Sequence, residues 1–444
     1  MTDPSTTALI VVDVQNDFCP GGALGVDGGD QLGAVIAEAA AGAGTLVATR
    51  DMHPANHISF RDQGGPWPPH CVAGTPGAEL HPSVAGLSFD IVHDKGRDPA
   101  REQYSDFDDS DLADRLRERG VTRVLVAGLA TDYCVRATAL DAIAAGFETT
   151  VLRDAIAAVD VEPGDGERAL REIRAAGGTL DRVHLLRGRE QLAPILEAKV
   201  RRLREVVEGA ARSRAALGLS GGIDSALSLA IAARALGPEN VYAITLPSRH
   251  TEQVHIDDAR ACAAAAGLPD ANFMNVSIEP ILEGIAAARP TVHDAPLRFG
   301  NASARARMIT IYDLAQEREA LVLGTENRSE YYLGYFTRFG DAASDVEPIW
   351  DLYKTEVKLA SEMMGQPEAV LIKHPTAGLW GGQTDEDELG FTYHDADLAI
   401  VCLEELGLDV AAAAARSGVD RAVVERVAAR VAAVDWKHHV PHAL

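Results

Sequence analysis

Short apolar runs, each followed by a helical pattern, recur along this chain in two separate series, and that alternation constrains its fold more than any other feature. In the first series residues 8–12, 45–49, 123–127, 149–152 and 183–186 read as buried strands. Residues 111–119, 137–145 and 166–176 read as helices between them. Strands that are apolar throughout and separated by helices do not pair as hairpins. They imply a mostly parallel sheet with both faces covered. The second series has strand patterns at 215–219, 241–246, 272–276 and 320–323 and a helical run over 226–235, and from about residue 351 the pattern is mainly helical. The fold class expected is α/β, with two doubly wound parallel-sheet domains and a helical C-terminal part. A length of 444 residues suits this, at roughly 100–200 residues per domain. The boundaries expected are a first domain over 1–187, a short linker over 188–194 and a second domain over 195–444. Leu192, Ile195, Leu196, Leu203 and Val207 lie near one helical stripe, which predicts an amphipathic helix opening the second domain.

Charge and cysteine content exclude several classes of function. The formal net charge is −25, so a broad basic face for nucleic acid is not expected. A local cradle of backbone amides and a few cations could still hold a small anion. The five cysteines, Cys19, Cys71, Cys134, Cys262 and Cys402, are odd in number and none are paired as Cys-x-x-Cys. That argues against a disulfide framework and for a reducing compartment. No secretory leader and no run of about 18 uncharged apolar residues is visible, so a cytoplasmic protein without a membrane partner is expected.

Four segments of the first half carry groups suited to chemistry. The first strand runs into Val-Val-Asp13-Val-Gln-Asn-Asp-Phe18, which puts an acid at the carboxyl end of a parallel strand, where such sheets bind ligands. Arg50-Asp51-Met-His53-Pro-Ala-Asn-His57 and Trp67-Pro-Pro-His70-Cys71 offer one carboxylate and imidazoles, a plausible divalent-metal set with positions left for water. Lys95 follows another apolar run. In Val126-Ala-Gly-Leu129-Ala130-Thr-Asp-Tyr-Cys134-Val a strand turns into a helix near a thiol, whose thiolate the helix dipole would favour. Taken singly, each has a bland reading: a helix-capping acid, loop histidines, a solvated lysine and a buried structural cysteine.

Together these segments resemble the nicotinamidases of the isochorismatase-like cysteine hydrolase family, over nearly all of residues 7–187. The stretch from Trp67 to His81 is its most specific part. The resemblance implies Cys134 as nucleophile, Asp13 as general base and Lys95 as third member of the triad. It implies a metal (zinc, iron or manganese) on Asp51, His53 and His70, with His57 as a possible fourth ligand. It also implies a cis peptide at Leu129–Ala130, an oxyanion hole from the Ala130 and Cys134 amides, and a pocket of Phe18, Trp67 and Tyr104. The substrate would be nicotinamide, hydrolysed through a cysteine thioester to nicotinate and ammonia.

The second half opens with Gly218-Leu219-Ser220-Gly221-Gly222-Ile223-Asp224-Ser225 between a strand and a helix. Two glycines let backbone amides approach an anion at the helix N-terminus. The lysine of a Walker motif is missing, so that reading fails. Ser-Gly-Gly-x-Asp-Ser instead resembles the pyrophosphate loop of enzymes that adenylylate a carbonyl oxygen. The segments at 301–308, 321–330, 334–341, 345–349, 351–357, 375–379 and 383–390 follow in order, and with the loop they resemble ammonia-dependent NAD synthetase over about residues 195–440. That resemblance implies an adenine-nucleotide alpha-hydrolase-like fold. It implies ATP binding by the loop with Thr325, Lys354 and Thr376, and magnesium on Asp224 and Glu330. Deamido-NAD would contact Arg305, Arg338, Asp345 and Lys437. Position 436 is tryptophan where the family often has histidine. The reaction implied joins deamido-NAD, ATP and ammonia into NAD, AMP and pyrophosphate through an adenylylated intermediate.

One chain would then carry a source and a consumer of ammonia. The released ammonia is either reused or equilibrates with solvent. The resemblance also implies a homo-oligomer formed through the synthetase domain. Two other readings of the first half stay open: hydrolysis of a different small amide or vinyl ether, and a non-catalytic binding or ammonia-handling module.

Overall fold

The computed structural model describes residues 3–373 and 385–438. The chain divides into two compact units, Met1–Leu185 and Leu186–Leu444, each built on its own parallel sheet.

The first unit holds six strands: β1 (Thr7–Val12), β2 (Thr45–Asp51), β3 (Ile91–Lys95), β4 (Arg123–Leu129), β5 (Glu148–Ala157) and β6 (Thr179–Asp181). Their order is β3-β2-β1-β4-β5-β6, all parallel, with Ala8 of β1 opposite Thr45 of β2 and Val124 of β4. All six residues of β1 are buried, as a central strand covered on both faces requires. The helix Asp165–Ala175 buries Gly166, Ala169, Leu170 and Ile173, one stripe at helical spacing. In this order the chain turns from one side of the sheet to the other between β1 and β4. Crevices of parallel sheets open at the carboxyl ends of such strands.

Two sequence expectations fail here. Residues 183–186 form no strand, because the Asp154 carboxylate accepts the amides of Val183 (2.9 Å) and His184 (2.8 Å) that strand pairing would need. Residues 188–194 are not a linker, since the helix Arg189–Gly209 starts there. Leu192 is its first fully buried residue and packs in one cluster with Leu196, Leu203 and Val207. Full burial of such a side chain stabilises by roughly 1.5–3 kcal/mol, which ties this stretch to the second core.

The second unit holds β7 (Arg214–Gly218), β8 (Val241–Thr245), β9 (Phe273–Asn275) and β10 (Ala320–Val322), in the parallel order β10-β7-β8-β9. The helix Ile223–Leu236 follows β7 directly and buries ten of its residues, most of them alanine and leucine. From Lys354 onward the described elements are helical, as expected. Among the described residues no helix is long and apolar enough to cross a membrane.

Candidate active sites

In the first unit the chemistry gathers at the carboxyl ends of four adjacent strands. Asp13 follows β1, Asp51 ends β2, Lys95 ends β3 and Cys134 lies just past β4. Asp51 and Lys95 stand opposite each other in the β2–β3 register. All four side chains are buried. Asp13 adopts a left-handed backbone (φ 48°), a conformation aspartate tolerates better than most residues. Its carboxylate accepts the Thr49 hydroxyl at 2.9 Å and the Lys95 ammonium. Lys95 also donates to Asp51 Oδ1 at 2.7 Å. Burial opposes the charge on Lys95, but Asp13 and Asp51 outweigh it and hold the ammonium well above its ordinary value.

Burial also pushes the Cys134 thiol well above its ordinary value, with Lys95 opposing and the surrounding carboxylates adding to the rise. Desolvation of the buried sulfur thus opposes the thiolate that a helix dipole would favour. The thiol therefore needs a base, and Asp13, which has a carboxylate oxygen within 4.8 Å of the Cys134 sulfur, is in place. Burial raises Asp13 as well, which improves a carboxylate as a proton acceptor. Leu129–Ala130 is a cis peptide, and Thr131–Val135 form a wide turn that leads into the helix Arg136–Ala144. The Ala130 carbonyl accepts the amides of Tyr133 and Val135, both at 3.1 Å.

Asp51, His53 and His70 bring one ligand atom each within 4.8 Å of one another. His53 Nδ1 bonds the Gly96 carbonyl at 3.0 Å and His70 Nδ1 bonds the Pro68 carbonyl at 2.8 Å. A carbonyl only accepts, so in both rings Nδ1 carries a hydrogen. His53 Nε2 lies 3.3 Å from Asp51 Oδ2, and that carboxylate outweighs burial and holds the ring above its ordinary value. With the ring neutral, Nε2 keeps its lone pair. That is the tautomer a metal ligand needs, oriented by an outer hydrogen bond. Burial holds His70 below its ordinary value and so neutral. The donor set fits a divalent ion with water positions left open. His57 does not join it. Its Nε2 faces the Arg101 carbonyl at 2.9 Å, and its Nδ1 meets the Ser59 hydroxyl at 2.7 Å. Both nitrogens are used, so the fourth-ligand expectation is withdrawn.

The aromatic residues assemble in part. Trp67 Nε1 donates to the Tyr104 hydroxyl at 3.3 Å, and Phe18 packs on the His70 ring at 5.5 Å. Tyr133, which the sequence reading passed over, meets both Trp67 (5.3 Å) and Tyr104 (5.7 Å). Its signal was its place directly before Cys134. Gln15 was also missed. It accepts the Asp51 amide at 2.8 Å and donates to the Asp51 carbonyl at 2.9 Å, which pins the end of β2. Asp106 was missed too. Fully buried, it bonds Thr138 at 3.0 Å and lies 3.8 Å from the Lys95 ammonium. Nothing in the local sequence around Gln15 or Asp106 marks either one.

In the second unit a cavity of about 870 Å³ opens over β7, β8 and β10. Its floor is the loop after β7. Gly221 has φ 75°, and a Cβ there would lie 2.3 Å from the His255 carbonyl oxygen, so only glycine fits. Ser225 Oγ donates to the Gly222 carbonyl (3.0 Å) and accepts the Ser220 amide (3.2 Å), which closes the loop on the start of the helix Ile223–Leu236. The charged centre is Lys354, whose ammonium donates to Asp224 (2.6 Å) and Glu330 (3.0 Å). Asn327 donates to the other Asp224 oxygen at 2.8 Å. Burial, with Asp224 adding, pushes Glu330 up to about 8 despite Lys354. Two carboxylates that converge on one cation are hard oxygen donors suited to magnesium.

Thr325, Arg305, Arg338 and Lys437 all line the cavity. Lys437 also holds the wall together by donating to the carbonyls of Gly334 (2.6 Å) and Phe336 (2.8 Å). Arg338 lies 4.5 Å from the Trp436 ring centre. Asp345 is a correction. Its carboxylate accepts the Val322 amide at 2.8 Å and so secures the short strand β10, and the carboxylates that line the cavity include Asp224, Glu330 and Asp341 but not Asp345. Thr376 lies outside the described residues. Lys373 was missed. It lines the cavity beside the loop and donates to Asp258 (2.6 Å) and to the Gly221 carbonyl (3.4 Å).

Residues 195–441 match the family described as NAD synthase, and residues 7–182 match the isochorismatase domain. The NH(3)-dependent NAD(+) synthetase of Methanococcoides burtonii is 46% identical over 192 residues, 43% of this chain and 72% of the relative. Among solved structures, the pyrazinamidase of Pyrococcus horikoshii in complex with zinc is 49% identical, with a TM-score of 0.37, and covers 40% of this chain and 99% of its own. The NMN synthetase of Francisella tularensis is 31% identical, with a TM-score of 0.48, and covers 56% and 95%. The first family match spans more than half of the chain, and the chain therefore belongs to the NAD synthase family and carries an isochorismatase domain ahead of its synthetase unit.

Proposed function

We propose that the chain is a bifunctional enzyme of NAD salvage: its first unit hydrolyses nicotinamide to nicotinate and ammonia, and its second amidates deamido-NAD with ATP and ammonia. The observation that carries this reading is that each unit gathers a whole reaction set around the carboxyl ends of its central strands. In the first unit that set is Asp13, Lys95 and Cys134 beside Asp51, His53 and His70.

In the first unit Asp13 takes the Cys134 proton as sulfur attacks the amide carbon. The Ala130 and Cys134 amides hold the developing oxyanion. The proton on Asp13 passes to the leaving nitrogen, ammonia departs and a thioester remains. Water that gives its proton to Asp13 then attacks the thioester carbon, the carbon–sulfur bond breaks to release nicotinate, and the Cys134 sulfur takes the proton back from Asp13. Lys95 keeps Asp13 oriented throughout. Asp51, His53 and His70 would hold a divalent ion, zinc as in the Pyrococcus horikoshii complex or iron or manganese, which would supply an electrophilic anchor for the substrate ring. Phe18, Trp67 and Tyr104 enclose the ring.

In the second unit the loop amides of residues 219–225 cradle the phosphates and Lys354 faces the charge that develops on them. Asp224 and Glu330 would hold magnesium, which would supply further neutralisation of the triphosphate. The nicotinate carboxylate attacks the α-phosphorus and pyrophosphate leaves. Ammonia then attacks the acyl carbon and AMP leaves. Arg305, Arg338 and Lys437 hold the dinucleotide.

The test is two separate assays on the purified chain: nicotinate from nicotinamide, and NAD from deamido-NAD, ammonium and magnesium-ATP, with nicotinate mononucleotide as competing acceptor. Both products are expected. Turnover of the mononucleotide alone would replace the substrate assignment, and an inert first unit would make it a binding module. Reuse of ammonia is tested with nitrogen-15 nicotinamide beside excess unlabelled ammonium: label in NAD above bulk dilution supports it, and label at bulk dilution rejects it.

A further inference from the structure

Asp397 is fully buried on the helix Tyr393–Ile400, in the second unit but off the cavity wall. One of its oxygens accepts the Ser329 hydroxyl. The other accepts both the amide (2.9 Å) and the hydroxyl (2.7 Å) of Thr355. Ser329 Oγ in turn accepts the Lys354 amide at 2.8 Å. Ser329 immediately precedes Glu330, and Thr355 immediately follows Lys354. The two charged residues that meet at 3.0 Å in the site therefore each neighbour a residue that Asp397 holds.

The helix Lys354–Met363 would otherwise begin with unsatisfied amides. Glu356 takes the amide of Tyr353 (3.0 Å), Ser329 that of Lys354 and Asp397 that of Thr355. An acidic group at a helix N-terminus is also favoured by the helix dipole. Burial nevertheless pushes the Asp397 carboxyl up to about 7 against its three hydrogen bonds. A buried acid kept in such a place, at the joint of three helices, points to a need for fixed geometry.

We propose that Asp397 is a positioning residue of the synthetase site: by gripping Ser329 and Thr355 together it sets the separation of Glu330 and Lys354, and so the charge presented to the triphosphate and its magnesium. This rests on the function proposed for the second unit. NAD synthesis by the native chain tests that function, whereas the ratio of variant to native tests the role of Asp397.

The experiment compares the full chain with Asp397→Asn and Ser329→Ala. Asparagine keeps the shape but has one acceptor oxygen where Asp397 uses two. For Asp397→Asn the turnover of NAD synthesis is expected to fall on the order of 10- to 100-fold, the effect of a roughly 1 Å misplacement. The magnesium concentration for half activity should rise several-fold, KM for deamido-NAD should stay within twofold, and nicotinamide hydrolysis by the same molecules should be unchanged. Ser329→Ala should show the same magnesium shift with a smaller fall in turnover. A merely structural role would lower the melting temperature and leave the magnesium dependence of folded protein unmoved. Native turnover and magnesium dependence in folded Asp397→Asn would overturn the proposal. If that variant does not fold, the same result in Ser329→Ala overturns it.

Discussion

The Lys95 ammonium lies 2.7 Å from Asp51 Oδ1 and also bonds Asp13, so a single buried cation joins the proposed proton-transfer group to the candidate metal set. Replacing it by the nearly isosteric methionine leaves two buried carboxylates facing each other without their counter-charge. Lys95→Met should reduce nicotinamide hydrolysis on the order of 10³-fold or more and leave NAD synthesis untouched. A variant that keeps more than a tenth of native hydrolysis would remove Lys95 from the account.

Gly96 backs the candidate metal set. Its φ is 66°, and a Cβ there would stand 2.6 Å from His53 Cε1. Gly96→Ala should therefore displace the His53 ring and lower bound metal, measured by elemental analysis of the purified chain, together with hydrolysis. Full metal content in that variant would contradict the assignment of His53 as a ligand.

His57 provides the opposite control. Both its ring nitrogens are engaged by Ser59 and the Arg101 carbonyl. His57→Ala should leave metal stoichiometry unchanged and cost about 1–3 kcal/mol of stability through buried partners left unpaired. Loss of metal with stability intact would restore it to the ligand set.

Asp106 makes stability depend on pH. Burial pushes it up to about 8 from an ordinary 3.8, against the pull of Lys95. An acid whose folded value is raised adds stability that is fully present below its unfolded value and is lost as pH rises to the folded one. Asp106→Asn should therefore gain stability relative to the native chain between about pH 4 and about pH 8 and hold that margin above it. Melting temperatures across this range check the trend; a difference independent of pH would contradict it.

Much of this was legible in the sequence because strand ends are. An acid, a second acid and a lysine directly after or at the end of apolar runs had to fall on one edge of a parallel sheet, and Asp13, Asp51 and Lys95 do. What was not legible depends on partners far along the chain. His57 looks like a ligand until Arg101, 44 residues on, takes one of its nitrogens. Asp345 looks like a substrate contact until its carboxylate is seen on the Val322 amide, 23 residues back. The apolar run at 183–186 lacks only the information that Asp154 has taken its amides. Asp106, Gln15 and Asp397 sit in segments with no local signal, and their roles exist only once helices and strands are packed.

The central claim, two linked chemistries on one chain, is tested most directly by NAD formation from deamido-NAD and magnesium-ATP with nicotinamide as the only nitrogen source. The native chain should make NAD under these conditions. Cys134→Ala should make none until ammonium is added, and then work at the native rate. NAD formation by Cys134→Ala from nicotinamide at the native rate, or no NAD from the native chain with either nitrogen source, would contradict the account.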